Sequence, residues 1–235
     1  MGLAEPAWCA DDGRTGPETG PAAAETDDAM TKEPNATSKD LGPVAPYPAG
    51  LNADATTATG AVVHLRPIRP EDAPRLVAFH GDLSPESIYR RFFSVHPRLS
   101  PAEVERFTNV DYVDRIALIA EDGERLVGIG RYERMPGTDE AEVAFVVADD
   151  HQHLGIGTTL LEHLAAAAWR SGIRTFIAST MADNRDMLRV FADSGFPVTR
   201  VLEAGIIDVR FPIEPDDAYR AACAARQARG ETSRY

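Results

Sequence analysis

Lysine is nearly missing from this chain of 235 residues: Lys32 and Lys39 are the only two, and residues 61–235 contain none. All basic residues of that long stretch are Arg, for which a coding preference is the plain explanation. Cysteine is as scarce. Cys9 and Cys223 lie near the two ends, without neighbours suited to metal or nucleophilic work, so a disulfide framework and a Cys-based metal site are excluded. Nowhere do about eighteen apolar residues run together, and the start MGLAEPAWCADDG has no basic region followed by an apolar one. The expectation is a cytoplasmic protein with no membrane partner. A net charge of −13 without a basic patch argues against a nucleic-acid partner, because like charges repel the phosphate backbone.

Composition changes near residue 60. Residues 1–60 hold seven Pro, seven Gly, and only Trp8 and Tyr47 as aromatics, with no apolar periodicity. They read as a disordered, acidic Pro/Gly/Ala-rich tail. Ten acidic and three basic residues give this stretch −7, leaving −6 for the other 175 residues. Residues 61–213 read as one domain, and residues 214–235, rich in Ala and Arg, as a C-terminal surface helix or tail.

Within that domain the pattern alternates between periods of two and of three to four residues, which predicts a mixed α/β order. Strands are expected at VVHLRPI, RIALIAE, ERLVGIGRY, DEAEVAFVVAD, RTFIAST, FPVTRVLE and GIIDVRFPI. Helices are expected at PEDAPRLVAFHG and at SPESIYRRFF and SPAEVERFTN, both opened by a capping Ser and a first-turn Pro. A longer helix follows DHQHLGIG, with Leu160, Leu161, Leu164, Ala165 and Ala168 as its apolar stripe and Gly172 as its stop. NRDMLRVFADSG completes the set.

The junction at residues 140–158 is the most informative. A strand ends, a short loop presents Gln152, Gly155 and Gly157, and a helix begins, so backbone N–H groups and the positive helix end converge on one point. Such a point suits a phosphate. A dinucleotide fingerprint fails because Leu160 replaces its third glycine, and a phosphate-lysine loop fails for want of a lysine.

Residues Gln152, His153, Leu154, Gly155, Ile156 and Gly157 resemble the Q/R-x-x-G-x-G/A motif of the GNAT acetyltransferase superfamily. Asn184, followed by Met187-Leu188 and closed by Gly195-Phe196, resembles that family's second signature. IYRRFFSVHPRLS, AEVAFVVAD and MLRVFADSGFPV look most like the bacterial Pat-type protein lysine acetyltransferases. The resemblance implies a GNAT fold, an α/β (α+β) architecture whose mixed, mostly antiparallel sheet of six or seven strands is flanked by helices. It implies acetyl-CoA as co-substrate, held at its pyrophosphate by the amides of residues 152–158, Thr158 included. The edge formed by Val146, Val147 and Ala148 would pair with the pantetheine arm, and Asn184 would contact that arm. It further implies a protein lysine as acceptor, with acetyl-CoA synthetase as the expected partner. Pat-type enzymes of mycobacteria also carry a cyclic-nucleotide-binding domain, which sixty polar residues are not expected to form.

Acylating an amine needs a base, because an ammonium of pKa about 10.4 attacks a thioester only once neutral. Alternation places Glu140, Glu142, Ala144, Val146 and Ala148 on one strand face and Ala141, Val143, Phe145 and Val147 on the other. Glu142 matches the general base proposed for Pat-type enzymes, and Glu140 is held in reserve. Phe191 stands where many relatives carry a proton-donating Tyr. His151 and His153 flank Gln152, but two ligands do not make a zinc site, and no metal is expected. Tyr89, Arg90 and Arg91 fall near the expected acceptor side. Two other readings stay open: a small-molecule amine as acceptor, and an acyl-CoA-binding regulatory module without turnover.

Overall fold

Eight strands and five α-helices organise the described residues, which in this computed structural model are 45–57, 60, 62–217, 219–221 and 223–225. The strands are β1 (Ala53–Thr56), β2 (Val62–Pro67), β3 (Arg115–Asp122), β4 (Arg125–Arg134), β5 (Glu140–Val147), β6 (Thr175–Met181), β7 (Thr199–Glu203) and β8 (Ile206–Pro212). They form one sheet in the order β1-β2-β3-β4-β5-β6-β8-β7, antiparallel throughout except where β5 meets β6. The mixed α/β expectation holds with one strand more than expected. That strand, β1, lies inside the stretch read as a tail and pairs with β2 from Ala53↔Leu65 to Thr56↔Val62. Its short ADAT sequence has too little periodicity to be seen without its partner. Residues 1–44 of the expected tail, Cys9 among them, lie outside the described residues.

The helices are α1 (Ala73–Asp82), α2 (Pro85–Phe92), α3 (Pro101–Thr108), α4 (Ile156–Arg170) and α5 (Arg185–Asp193). Ser84 Oγ accepts the Ser87 N–H (3.1 Å), and Ser100 forms a reciprocal capping box with Glu103, so both Ser-Pro signals start helices as expected. At the other end of α4, Gly172 takes φ +81° and the Ile173 N–H reaches back to Ala168 O (3.0 Å), closing the helix in a Schellman turn.

The two faces of the sheet are covered differently. On one, Leu160, Leu161, Leu164, Ala165 and Ala168 of α4 are all buried, sharing the core with Ala141, Val143 and Phe145 of β5. Each such leucine contributes about 1.5–3 kcal/mol by leaving water. On the other, Ile68, Leu76, Phe79, Phe92 and Phe107 enclose a small cavity of about 40 Å³ over Ala144, Val146 and Arg131. The C-terminal stretch is helical at its described residues from 217 to 225, and the Tyr219 ring stacks on Phe196 at 4.4 Å.

Close approach fixes one glycine of β4. A Cβ on Gly130 would lie 2.8 Å from Phe145 Cδ1 and 3.0 Å from Leu164 Cδ1. Gly130→Ala should therefore cost about 1–3 kcal/mol through overpacking, measured as a lower urea midpoint at unchanged m.

A buried ionic cluster joins α1 to β2 and β3. Arg66 grips Asp72 with two bonds of 2.7 Å and also reaches Glu121, while the Arg69 N–H donates to Asp72 at 2.8 Å. Burial works against ionising Asp72, but the Arg66 and Arg69 bonds and the charges of Arg66 and Arg75 outweigh it and hold the carboxyl below its ordinary value. An acid depressed by folding stabilises fully above its unfolded pKa of about 3.9 and loses that contribution as pH falls through the lower folded value. Asp72→Asn should be less stable than the wild type at pH 7 and approach it below about pH 3, as read from urea unfolding at both pH values.

Candidate active site

β5 and β6 share only three register pairs, Glu140↔Thr175, Ala141↔Phe176 and Glu142↔Ile177. Beyond Glu142 the strands part, although β6 stays paired with β8 up to Met181. A cavity of about 330 Å³ opens in the wedge, between Phe145, Val146 and Val147 of β5 and Asn184, Met187 and Val190 around α5.

Alternation decides which backbone groups of β5 reach the wedge. The Ala148 N–H donates to Val127 O (2.9 Å) and the Met135 N–H to Glu140 O (2.8 Å), so the even-numbered residues spend their backbone groups on β4. Val143, Phe145 and Val147 turn theirs the other way, and Val147 O accordingly accepts from Gln152 Nε2 at 3.3 Å. Of the expected pantetheine edge, Val147 turns its backbone groups into the wedge together with Phe145, Val146 lines the wedge with its side chain, and Ala148 is buried against β4.

The loop after β5 makes a 3₁₀ turn at Asp149–His151, then passes through His153 (φ +63°) and Gly155 (φ +88°) into α4. The bond from the Thr159 N–H to Gly155 O (3.0 Å) opens the helix, so the N–H groups of Ile156, Gly157 and Thr158 precede any i→i−4 partner. These donors, with the positive end of a 15-residue helix, make an anion cradle. Gln152, His153, Gly155, Ile156, Gly157 and Thr158 all line the cavity. Leu154 instead packs on the core, and the Ile156 side chain is buried, so that residue offers its amide alone.

Asp149, which sequence reading overlooked, holds this loop to α2. Its carboxylate accepts from Ser84 N–H (2.8 Å), Ser84 Oγ (2.7 Å) and Ser87 Oγ (2.7 Å), while Gln152 Nε2 donates to Ser87 Oγ (3.1 Å). Burial disfavours the Asp149 anion, but the serine bonds prevail and keep its pKa low. Its partners lie more than sixty residues upstream, beyond the reach of any local signal. Arg90, Arg91 and Arg189 bring positive charge to the cavity wall, beside Asp186 and Asp193. Tyr89 is exposed and is not part of the lining.

Asn184 is buried, caps α5 by accepting the Met187 N–H at Oδ1 (3.1 Å), and lines the cavity, where its NH₂ is the group it can still offer. Phe191 is packed against Phe211 in the core, so that position offers the cavity no proton donor. His151 sits between Asp150 (2.7 Å) and Asp122 (3.4 Å), whereas His153 lies 3.5 Å from Asp186. The two imidazoles therefore answer to different carboxylates, and among the described residues no three His, Cys, Asp or Glu side chains gather in metal-binding fashion.

The two glutamates of β5 differ. Glu140 forms a two-pronged ion pair with Arg210 (2.6 Å for one contact), whose hydrogen bonds hold its carboxyl below the ordinary range. An acid so held is a poor base. Glu142 is half-buried at the last rung before the strands part. It faces Glu133 across the β4–β5 ladder, an opposition of like charges that a sheet tolerates only with cations nearby. Arg106 (2.9 Å), Arg131 (3.4 Å) and Arg115 (4.0 Å) supply them at Glu133. Burial pushes the Arg131 guanidinium down to about 9, against the pull of Glu133, so it remains a cation at neutral pH.

An open mixed sheet whose central parallel pair parts over an amide-lined helix start defines the class of fold and site. The acetyltransferase (GNAT) family matches residues 84–196. The chain is 37% identical over 141 residues to an acetyltransferase of Pseudomonas aeruginosa, covering 58% of this chain and 76% of that one. It is 32% identical over 162 residues to acetyltransferase Pat of Mycolicibacterium smegmatis, covering 68% of this chain and 48% of the relative, so it spans about half of that longer protein. The crystal structure of the GNAT domain of S. lividans PAT superposes with a TM-score of 0.67 at 42% identity, covering 71% of this chain and 99% of that domain. The chain belongs to the GNAT family and is an N-acetyltransferase.

Proposed function

We propose that this acetyltransferase moves an acetyl or other short acyl group from CoA to the side-chain amine of a protein lysine, by direct attack in a ternary complex. The observation that carries the reading is the parting of β5 and β6 immediately after Glu142, with the anion cradle at the other end of the same wedge. The similarity to Pat acetyltransferases favours a protein acceptor, with acetyl-CoA synthetase or a like metabolic enzyme as the partner, and a cytoplasmic setting.

The residues present fit CoA. The amides of Ile156, Gly157 and Thr158 and the nearby arginines suit its phosphates, and Asn184, Phe145 and Val147 offer polar groups along the arm. Glu142 takes the proton from the incoming ammonium, directly or through one water. The N–H of Phe145 or Val147 polarises the thioester oxygen. As the C–N bond forms and the C–S bond breaks, the electron pair leaves on the CoA sulfur. A thiol of pKa about 8.5 departs tolerably as thiolate, so a hydroxyl at position 191 is dispensable.

Mass-spectrometric mapping of acetyl-lysine on acetyl-CoA synthetase incubated with the enzyme and acetyl-CoA tests the reading. Modification of defined lysines supports it. CoA release with a polyamine or aminoglycoside and none with protein replaces the acceptor, and tight CoA binding without any transfer replaces the enzyme by a binding module.

A further inference from the structure

Two arginines of the cavity wall, Arg90 and Arg91, stand on α2, and eight residues are too few for a helix to hold itself in water. Ile88 and Phe92 bury one side of it, and its C-terminal end leaves through Phe93 at φ +56° toward the exposed Val95. The N-terminal end is tied to a distant part of the chain. Asp149 Oδ2 accepts the Ser84 N–H (2.8 Å), and Asp149 Oδ1 accepts from Ser84 Oγ and Ser87 Oγ (2.7 Å each). Ser87 Oγ accepts in turn from Gln152 Nε2 (3.1 Å), which also donates to Val147 O (3.3 Å). One carboxylate and one hydroxyl therefore join the loop after β5, the wedge edge of β5 and the start of α2 in a single network.

A carboxylate is an unexpected neighbour for an anion cradle. Asp149 Oδ1 lies 3.5 Å from Gln152 Nε2, and Gln152 lines the cavity into which the cradle opens, so an exposed negative charge there would work against a phosphate. α2 removes the conflict. Its capping serines and the positive end of its first turn take up the Asp149 charge, which leaves the start of α4 open to an anion from outside. A tie that served stability alone could join any two elements, whereas this one joins the two that bring positive groups to the same cavity.

We propose that Asp149 is a positioning residue for CoA binding: it fixes α2 to the loop after β5, so that the amides entering α4 and the Arg91 guanidinium meet the CoA phosphates as one unit. The inference rests on the reading of the cavity as the CoA site given above. Arg90 is also paired with Glu86 (2.6 Å), whereas Arg91 lies over the ring of Phe92 (5.1 Å), the buried anchor of α2, so Arg91 is the arginine whose aim follows the seating of the helix. Asp149 acts through Arg91 rather than on CoA itself. Without it Arg91 keeps its charge and loses its aim. Because such coupling is reciprocal, CoA binding tightens the tie between loop and helix in the same measure.

The test is calorimetric titration of the full chain with CoA and with pantetheine, for wild type, Asp149→Asn, Arg91→Gln and the double variant. Asn keeps the shape of Asp149 and removes the charge that the serine donors share. Each single substitution should weaken CoA binding about tenfold, and the double variant little more than either, because both remove the same contribution. Pantetheine, which lacks the phosphates, should bind all four alike. Should the urea midpoint show Asp149→Asn to be unfolded, Ser87→Ala, which removes one bond and leaves the carboxylate, takes its place in the same cycle with an expected loss of about threefold. A loss of about a hundredfold in the double variant would mean two independent contributions and overturn the inference. So would an equal loss for CoA and pantetheine, a loss in Asp149→Asn without one in Arg91→Gln, or CoA binding unchanged in Asp149→Asn while Arg91→Gln weakens it. CoA binding unchanged in Asp149→Asn, Arg91→Gln and Gly155→Val alike would overturn the reading of the cavity as well.

Discussion

Glu142→Gln is expected to lower kcat for acetyl transfer at pH 7 by about 10²–10³-fold while KM for acetyl-CoA stays within about twofold. The ceiling comes from the acceptor: an amine of pKa about 10.4 is neutral in roughly one molecule of 2,500 at pH 7, and a base that removes the proton in place can recover most of that factor. Gln keeps the shape and polarity of Glu142 at the last paired rung of β5, so the register with Glu133 and Ile177 survives. The substitution also relieves the charge opposition with Glu133, which argues against loss of fold as the cause of lost activity. The discriminating readout is the pH profile of CoA release between pH 7 and 10. In the variant, rate should rise about tenfold per pH unit as solvent does the deprotonation, whereas the wild type should flatten early. Parallel profiles of equal height would remove Glu142 from the mechanism.

The same strand shows how far sequence carries. Strict alternation in EAEVAFVVAD correctly separates Ala141, Val143 and Phe145, which share the core with α4, from Glu142, Ala144 and Val146 on the opposite face. Helix starts were legible because Ser-Pro and the Gly-rich loop act within four residues, and the site loop was legible because its donors are consecutive amides. What escaped depends on distant partners. Asp149 ties the site loop to α2 only through Ser84 and Ser87, and Glu140 is committed to an ion pair because Arg210, seventy residues on, sits beside it. The direction of each β5 amide was hidden for the same reason: side-chain alternation is visible in one strand, but which neighbour takes the backbone groups requires the partner strand. β1 shows the limit for short elements, since four residues carry no period and become a strand by pairing with β2.

Gly155→Val is the second large effect, expected to weaken CoA binding by about 10²-fold in calorimetric titration. Gly155 holds φ +88° and ψ 2° as the N-cap of α4, a conformation that a β-branched residue adopts only at a cost of about 1–3 kcal/mol. The loop can relieve that strain by returning to negative φ, which swings the amides entering α4 off their common aim. Hydrogen bonds to a charged phosphate contribute about 1.5–3 kcal/mol each, so losing one or two accounts for the expected factor. Gly157→Ala is the milder control: position 157 has no positive φ, and its added Cβ would sit 3.2 Å from Val190 Cγ2. It should therefore press α4 against α5 without turning the cradle. Pantetheine, which shares the arm but lacks the phosphates, should bind wild type and Gly155→Val alike. If the Gly155 variant binds CoA as tightly as the wild type, the phosphates are held elsewhere on the wall, with Arg90, Arg91 and Arg189 the next groups to replace.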